Sequence, residues 1–269
     1  MATPTMYHEG NLANIRVLVT RPSHQAENLA RLIEAESGEA IRFPTVEILE
    51  PLDSARLAAL IDRLEQFDIA IFISPNAVNR AMSMITARRG KLPDMLALAC
   101  VGRGSARELK RFGVKTPLVP NGRYDSEALL ALPVLHNVEH KKVVIFRGKG
   151  GRELLDNTLR ERGAHVEYAE CYRRTKPTTD MTRLLRQRLR GTIDIVSVTS
   201  VEGVRHLLDM VGKAGKQWLL KTPVVVISER MVAVCRELGF DAGIYVADDA
   251  SDESIVSAIK AWRASQNSL

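Results

Sequence analysis

Several patterns that would assign a chain at once are missing from this sequence. No apolar stretch approaches the roughly 18 residues of a membrane span. Met1 to Asn14 carries no basic segment followed by an apolar run, so it reads as a short disordered tail and not as a signal peptide. Cysteine occurs only at Cys100, Cys171 and Cys235, far apart and without a CxxC pair. That excludes a disulfide framework and a zinc ribbon. It points to a reducing compartment, the cytoplasm, with the thiols buried as small apolar groups. The six histidines (His8, His24, His136, His140, His165 and His206) form no HExxH motif, so no metal site is expected. Aromatic residues make up only 5% of the chain, no run of five basic residues occurs, and no helix-turn-helix or RNP pattern stands out, which argues against nucleic acid. The densest basic stretch, Arg183 to Arg190, spaces Leu184, Leu185 and Leu189 as an amphipathic helix with a solvated basic face.

What is present is ordinary for a folded protein: 269 residues, 45% hydrophobic and 26% charged, with a net charge of +6. The length suggests two domains, each large enough to bury a core. An internal repeat organises them. Arg21 and Arg147 stand 126 residues apart, and so do Pro51 and Pro177, Asp68 and Asp194, Ser74 and Ser200, Gly113 and Gly239, and Glu127 and Glu253. Each copy reads as strand, turn and helix three times over, with strands near 15–20, 69–73 and 96–101, then 143–146, 194–199 and 223–227. Ser74 is placed to cap a helix that opens with Pro75, and Ser105 with Glu108 reads as a capping box. Strands apolar throughout, alternating with helices, imply parallel sheets covered on both faces. The segments 39–51 and 164–177 break the rhythm at equivalent places and lack helix periodicity; they read as paired extended linkers between two lobes.

In such sheets the carboxyl ends of the strands form the binding crevice. The turns there are Thr20-Arg21-Pro22-Ser23, Ser74-Pro75-Asn76, Gly102-Arg103-Gly104-Ser105, Arg147-Gly148-Lys149-Gly150-Gly151-Arg152-Glu153, Ser200-Val201-Glu202 and Ser228-Glu229-Arg230. All six open helices, so free N–H groups and positive dipole ends face one edge, an anion-binding surface. Ser caps helices everywhere, but Arg has no general structural reason to follow a buried strand. Neither Gly-rich turn completes GxGxxG, since Glu153 and Arg107 stand where the third Gly is required, and neither continues to GK[ST]. No GxSxG elbow is present. What remains is a basic crevice without a cofactor motif.

On these residues the chain resembles uroporphyrinogen-III synthases of bacterial type. The resembling segments include LVTRPSHQAENLARLIE, DIAIFISPNAV, CVGRGSARELKRFG, VVISERMVAVCRELGF and, most sharply, FRGKGGRELLDNTLRERGAHVEYAECYRR. The resemblance implies an α/β fold of two similar lobes, each a parallel sheet flanked by helices, joined by a two-stranded β linker. Residues 1–38 and 178–269 would form lobe one, 52–163 lobe two, and 39–51 and 164–177 the paired linkers. It implies a lyase of porphyrin and heme biosynthesis that closes hydroxymethylbilane, a linear tetrapyrrole with eight carboxylates, while inverting ring D through a spiro intermediate. It implies no metal and no organic cofactor, a monomer, no nucleic acid or membrane partner, and transient contact with the enzyme that makes the substrate. Tyr172 is by resemblance the candidate general acid. The substrate would be held by Thr20, Arg21, Ser74, Asn76, Arg103, Ser105, Arg147, Gly148, Lys149, Gly151, Arg152, Ser200, Ser228 and Arg230. Strand alternation further predicts that Tyr168 and Tyr172 point the same way. The competing readings are a two-lobed binding protein for an anionic metabolite and a phosphosugar isomerase or transferase, which would need Glu153, Glu202 or Glu229 as its base.

Overall fold

A computed structural model of the chain describes residues 11–151, 153–178, 184 and 191–266. The chain divides into two compact units, Met1–Glu47 with Thr175–Leu269, and Ile48–Arg174. In chain order the elements are β1 (Arg16–Val19), α1 (Ser23–Ala35), β2 (Glu39–Arg42), β3 (Glu47–Leu49), α2 (Ser54–Asp62), β4 (Ile69–Phe72), α3 (Pro75–Arg89), β5 (Ala97–Cys100), α4 (Arg103–Arg111) and α5 (Ser126–Leu130). There follow β6 (Lys142–Gly148), α6 (Leu154–Glu161), β7 (His165–Thr175), β8 (Ile195–Ser197), α7 (Val201–Leu220), β9 (Val224–Val226), α8 (Glu229–Glu237), β10 (Ile244–Val246) and α9 (Asp252–Gln266). The basic stretch 183–190 lies outside the described residues apart from Leu184, which is buried.

Each unit carries a five-stranded sheet, ordered β10-β9-β8-β1-β2 in the first and β3-β7-β6-β4-β5 in the second. In the first, β1 pairs in parallel with β2 and β8, and β9 with β8 and β10. In the second, β4 pairs in parallel with β5 and β6, and β6 with β7. Shifted by 126 residues, β1, β2, β8 and β9 coincide with β6, β7, β4 and β5, so the sequence repeat is a repeat of sheet order. β1 nevertheless sits beside β8 and carries β2 with it into the sheet built mainly from the second copy.

Burial explains why the strands are apolar throughout. All four residues of β4 and all three of β9 are buried, because helices cover both faces. In the second unit Ala70, Phe72, Val144 and Phe146 pack on one face, and Ile69, Ile71, Val143 and Ile145 on the other. Phe72 and Phe146 stack with centroids 4.8 Å apart.

The segments read as linkers are largely sheet strands. Glu39–Arg42 pairs along β1 and His165–Thr175 along β6, while β3 is the neighbour of β7. Their lack of helix periodicity marked them as extended. Ile41, Val166 and Ala169 supply enough buried apolar surface to extend each sheet by a strand. The alternation of β7 is also broken. Arg147 pairs with Glu170 but Gly148 with Tyr172, leaving Cys171 as an extra residue. A bulge of this kind turns the later residues of the strand to the opposite face. Tyr168 therefore packs with Val143 and Ile145, and Tyr172 with Val144 and Phe146, not on one shared face.

Replacing Phe72 by Ala removes a fully buried ring from that stack, so Phe72→Ala is expected to cost about 3–5 kcal/mol. Urea unfolding followed by far-UV circular dichroism measures it, and a loss below about 1 kcal/mol would contradict this account of the core.

Candidate active site

In the second unit, β4 delivers Ser74 to the start of α3, where its Oγ accepts a hydrogen bond from Ala77 N at 3.1 Å. The same Oγ lies 3.0 Å from the Tyr172 hydroxyl. Tyr172 is 2% exposed. Its ring lies against Gly148, where a Cβ would come within 2.6 Å of Cε2. Arg174 completes the group: its Nη2 donates to the Tyr172 oxygen at 3.4 Å and its guanidinium lies 5.7 Å over the ring. Ser74 reaches the edge of the unit partly exposed, so a buried phenol is connected to the surface through a hydroxyl.

The neighbouring turns divide by what their side chains do. Asn76 is the second residue of α3 and partly exposed. Arg103 opens α4, exposed, with its guanidinium 5.1 Å over Tyr124. Ser105 is not the cap of that helix. Gly102 takes the cap position, so Ser105 lies inside the first turn and is 3% exposed. Glu108 pairs with Arg111 at 2.9 Å instead of reaching back to a capping box. The Lys149 backbone N–H donates to Tyr172 O at 2.8 Å, leaving its side chain exposed. Gly151 has φ of +113°, which favours glycine, and the space where a Cβ would stand is bordered by Arg147 Nη2 at 2.9 Å. Arg147 itself is 4% exposed, with its guanidinium 4.5 Å over Tyr168 and Nε donating to Gly148 O. Arg152 lies outside the described residues.

The first unit has a rim of the same plan, several members of which serve the fold. Thr20 is 3% exposed and its hydroxyl donates to Ser197 O at 2.7 Å. Arg21 is nearly buried and pairs with Asp252 at 3.2 Å, which supplies the structural reason for an arginine after a buried strand. Ser200 caps α7 by accepting from Gly203 N at 2.9 Å. Ser228 holds the cap position of α8 without a side-chain cap bond, and Arg230 is exposed beside it. Both rims thus offer helix N-terminal N–H groups, and exposed cations remain at Arg103, Lys149 and Arg230.

Arg174 and Ser126 are not among the residues that the sequence pattern singles out. Arg174 sits in the quoted segment CYRR, and Ser126 is the repeat mate of Asp252; either could have been noticed. His136 and His140 stand four apart but not on a helix, since His140 has φ of +60°. Among the described residues no group of three potential metal ligands forms, and no helix is long and apolar enough to cross a membrane. Burial pushes the thiols of Cys100 and Cys235 up to about 11 and that of Cys171 to about 12. Burial also raises the Tyr168 phenol, with Asp156 adding to the effect and Arg147 opposing it.

Comparison with known proteins adds a consistent finding. A family model described as uroporphyrinogen-III synthase HemD matches residues 27–257. Curated uroporphyrinogen-III synthases of Escherichia coli and Salmonella typhimurium are 33% and 34% identical, each alignment covering 91% of this chain and 99% of the relative. Among solved structures, a mutant uroporphyrinogen III synthase from Thermus thermophilus gives a TM-score of 0.61 at 22% identity, covering 94% of this chain and 99% of that one. The enzyme from Helicobacter pylori gives 0.56 at 14% identity, covering 92% and 99%. At such identities the structures speak to the fold, which is the same.

Two outcomes follow from this packing. Gly148→Ala is expected to push the Tyr172 ring off its seat and cost roughly 1–3 kcal/mol, with a changed near-UV circular dichroism spectrum; an unchanged spectrum and melting temperature would mean the contact is slack. At pH 8 the raised thiols should be ionised to no more than about one part in a thousand. A disulfide reagent such as DTNB should therefore find all three cysteines only after denaturation, and fast reaction of the native protein would contradict their burial.

Proposed function

We propose that this chain, which belongs to the uroporphyrinogen-III synthase family, converts hydroxymethylbilane to uroporphyrinogen III with release of water. It is an enzyme, a hydro-lyase of porphyrin biosynthesis. The observation that carries the assignment is similarity along nearly the whole chain, with curated relatives matched over 99% of their own length. The binding-protein and isomerase readings have no such support.

The chemistry asks for two things. The substrate's carboxylates need donors, and both rims supply helix N-terminal N–H groups with cations beside them. The hydroxyl on ring A must leave as water, which calls for a proton. We assign that proton to Tyr172, passed through Ser74. A Tyr172 O–H bonded to Ser74 Oγ can follow a Ser74 proton given to the departing hydroxyl, and the Arg174 donor faces the oxygen where negative charge would develop. The azafulvene cation left on the bilane is attacked by the substituted carbon of ring D. The spiro intermediate fragments and recloses, and the final loss of a proton from the macrocycle restores the acid. Holding the reacting carbons in a near-attack arrangement can itself supply several kcal/mol, roughly 7–11 at most. Arg147, Lys149, Arg152, Arg103 and Arg230, with the amides near Ser74, Asn76, Ser105, Gly148, Gly151, Ser200 and Ser228, are assigned to substrate binding. Thr20 and Arg21 are assigned to holding the first unit's rim in shape. Buried free thiols fit a reducing compartment, and we place the enzyme in the cytoplasm as a monomer that meets the bilane-forming enzyme transiently.

The assay supplies hydroxymethylbilane, oxidises the products and separates type I from type III porphyrin. Spontaneous closure gives type I, so enzyme-dependent type III supports the assignment and its absence overturns it. Tyr172→Phe should lower kcat at least about tenfold, equivalent to about 1.4 kcal/mol, with the residual product still type III because geometry selects the isomer. Ser74→Ala should fall similarly if the proton passes through Ser74. Full activity in Tyr172→Phe would remove the phenol from the mechanism.

A further inference from the structure

Arg21 and Arg147 occupy equivalent places in the repeat but have opposite surroundings. Arg21 Nη1 stands 3.2 Å from Oδ1 of Asp252, the first residue of α9. The residue at the equivalent place in the other copy is Ser126, the first residue of α5. Arg147 therefore lacks the built-in partner that its mate has. Its Nε and Nη2 donate to the carbonyls of Gly148 and Gly150, and no carboxylate among the described residues pairs with it. Where the first unit holds the Asp252 carboxylate, the second has a cavity of about 190 Å³. Arg147, Ser126 and Tyr168 line it, against apolar walls from Ile73, Ile145 and Leu155.

Two buried polar groups face that space without a carboxylate. Arg147 is more than nine-tenths buried without a counter-ion. The Tyr168 hydroxyl is buried and makes no well-formed hydrogen bond, with the Arg147 guanidinium as its polar neighbour. Burying a charge or a hydroxyl in this way is costly, and one carboxylate would offset both. Two acids act on the Tyr168 phenol from outside the cavity: Asp156 is already paired with Arg160 at 2.8 Å, and Glu153 does not line the space. The volume lies below the roughly 300–1,000 Å³ of a site for a whole drug-sized ligand, so the cavity suits a short acid arm and not a pyrrole ring.

We propose that this cavity is a single-carboxylate pocket. It takes one short acid arm of the substrate, with Arg147 as counter-ion and the Tyr168 and Ser126 hydroxyls as donors. The identity of the arm's owner rests on the function proposed above; the affinity for a small carboxylate does not.

The test restores the missing acid. Ser126→Asp places a carboxylate where Asp252 stands in the first unit, and Ser126→Asn is the neutral control. Ser126→Asp should raise the KM for hydroxymethylbilane about tenfold or more over the Asn variant with a much smaller change in kcat. Separately, sodium propionate is titrated against sodium chloride at equal ionic strength, following the Arg147 Nε–H signal by NMR in the intact protein. A saturable shift is expected in the wild type, a weaker one in Tyr168→Phe, which keeps the packing, and none in Ser126→Asp. No shift in the wild type, an equal shift in Ser126→Asp, or equal KM values for the Asp and Asn variants would overturn the pocket. A wild type that binds propionate but makes no type III product would overturn the functional reading and leave the pocket standing.

Discussion

Parallel pairing with both faces covered is the constraint on which the rest of this structure depends. Strands that all run one way must each return through a helix, and those helices then begin at the same edge of the sheet. Unpaired N–H groups and positive dipole ends gather there without any side chain being chosen for the purpose. The apolar strands β4, β6, β8 and β9 thus do more than build cores. Their burial fixes a direction, and the direction fixes where an anion can be held.

On that shared plan the two copies are used differently. In the first unit the rim is largely internalised: Thr20 donates to Ser197 O, and Arg21 is neutralised by Asp252. In the second, Ser126 stands where that acid would be, and Arg147 is left with carbonyls and an aromatic face. Close packing also sets the position of Tyr172. Gly148 has no Cβ, so a phenol ring can seat against the backbone and still reach Ser74. Exposed cations such as Lys149 and Arg230 contribute little individually, because water screens them; the buried arginine is the one whose surroundings discriminate.

Much of the fold was legible in the sequence, and the reason is periodicity. Unbroken apolar runs, caps such as Ser74 and Ser200, and a constant offset of 126 residues are local or repeated signals. The site was less legible because its members are defined by partners far along the chain. Nothing near Arg21 announces Asp252, and the pattern at Ser105 and Glu108 suits a cap only for a helix that starts later than this one, which is capped at Gly102. Strand alternation puts Tyr168 and Tyr172 on one face only where the strand is unbroken, and the extra Cys171 breaks it.

The sequence by itself therefore determined the class of fold, the duplication and the chemistry of the rims, since these follow from hydrophobic pattern and residue type at strand ends. Tertiary structure alone decided which arginine is neutralised, which tyrosine reaches a hydroxyl and which lines a cavity. Those outcomes turn on a single-residue change of register and on an ion pair between Arg21 and Asp252, at opposite ends of the chain, a separation over which local pattern carries no information.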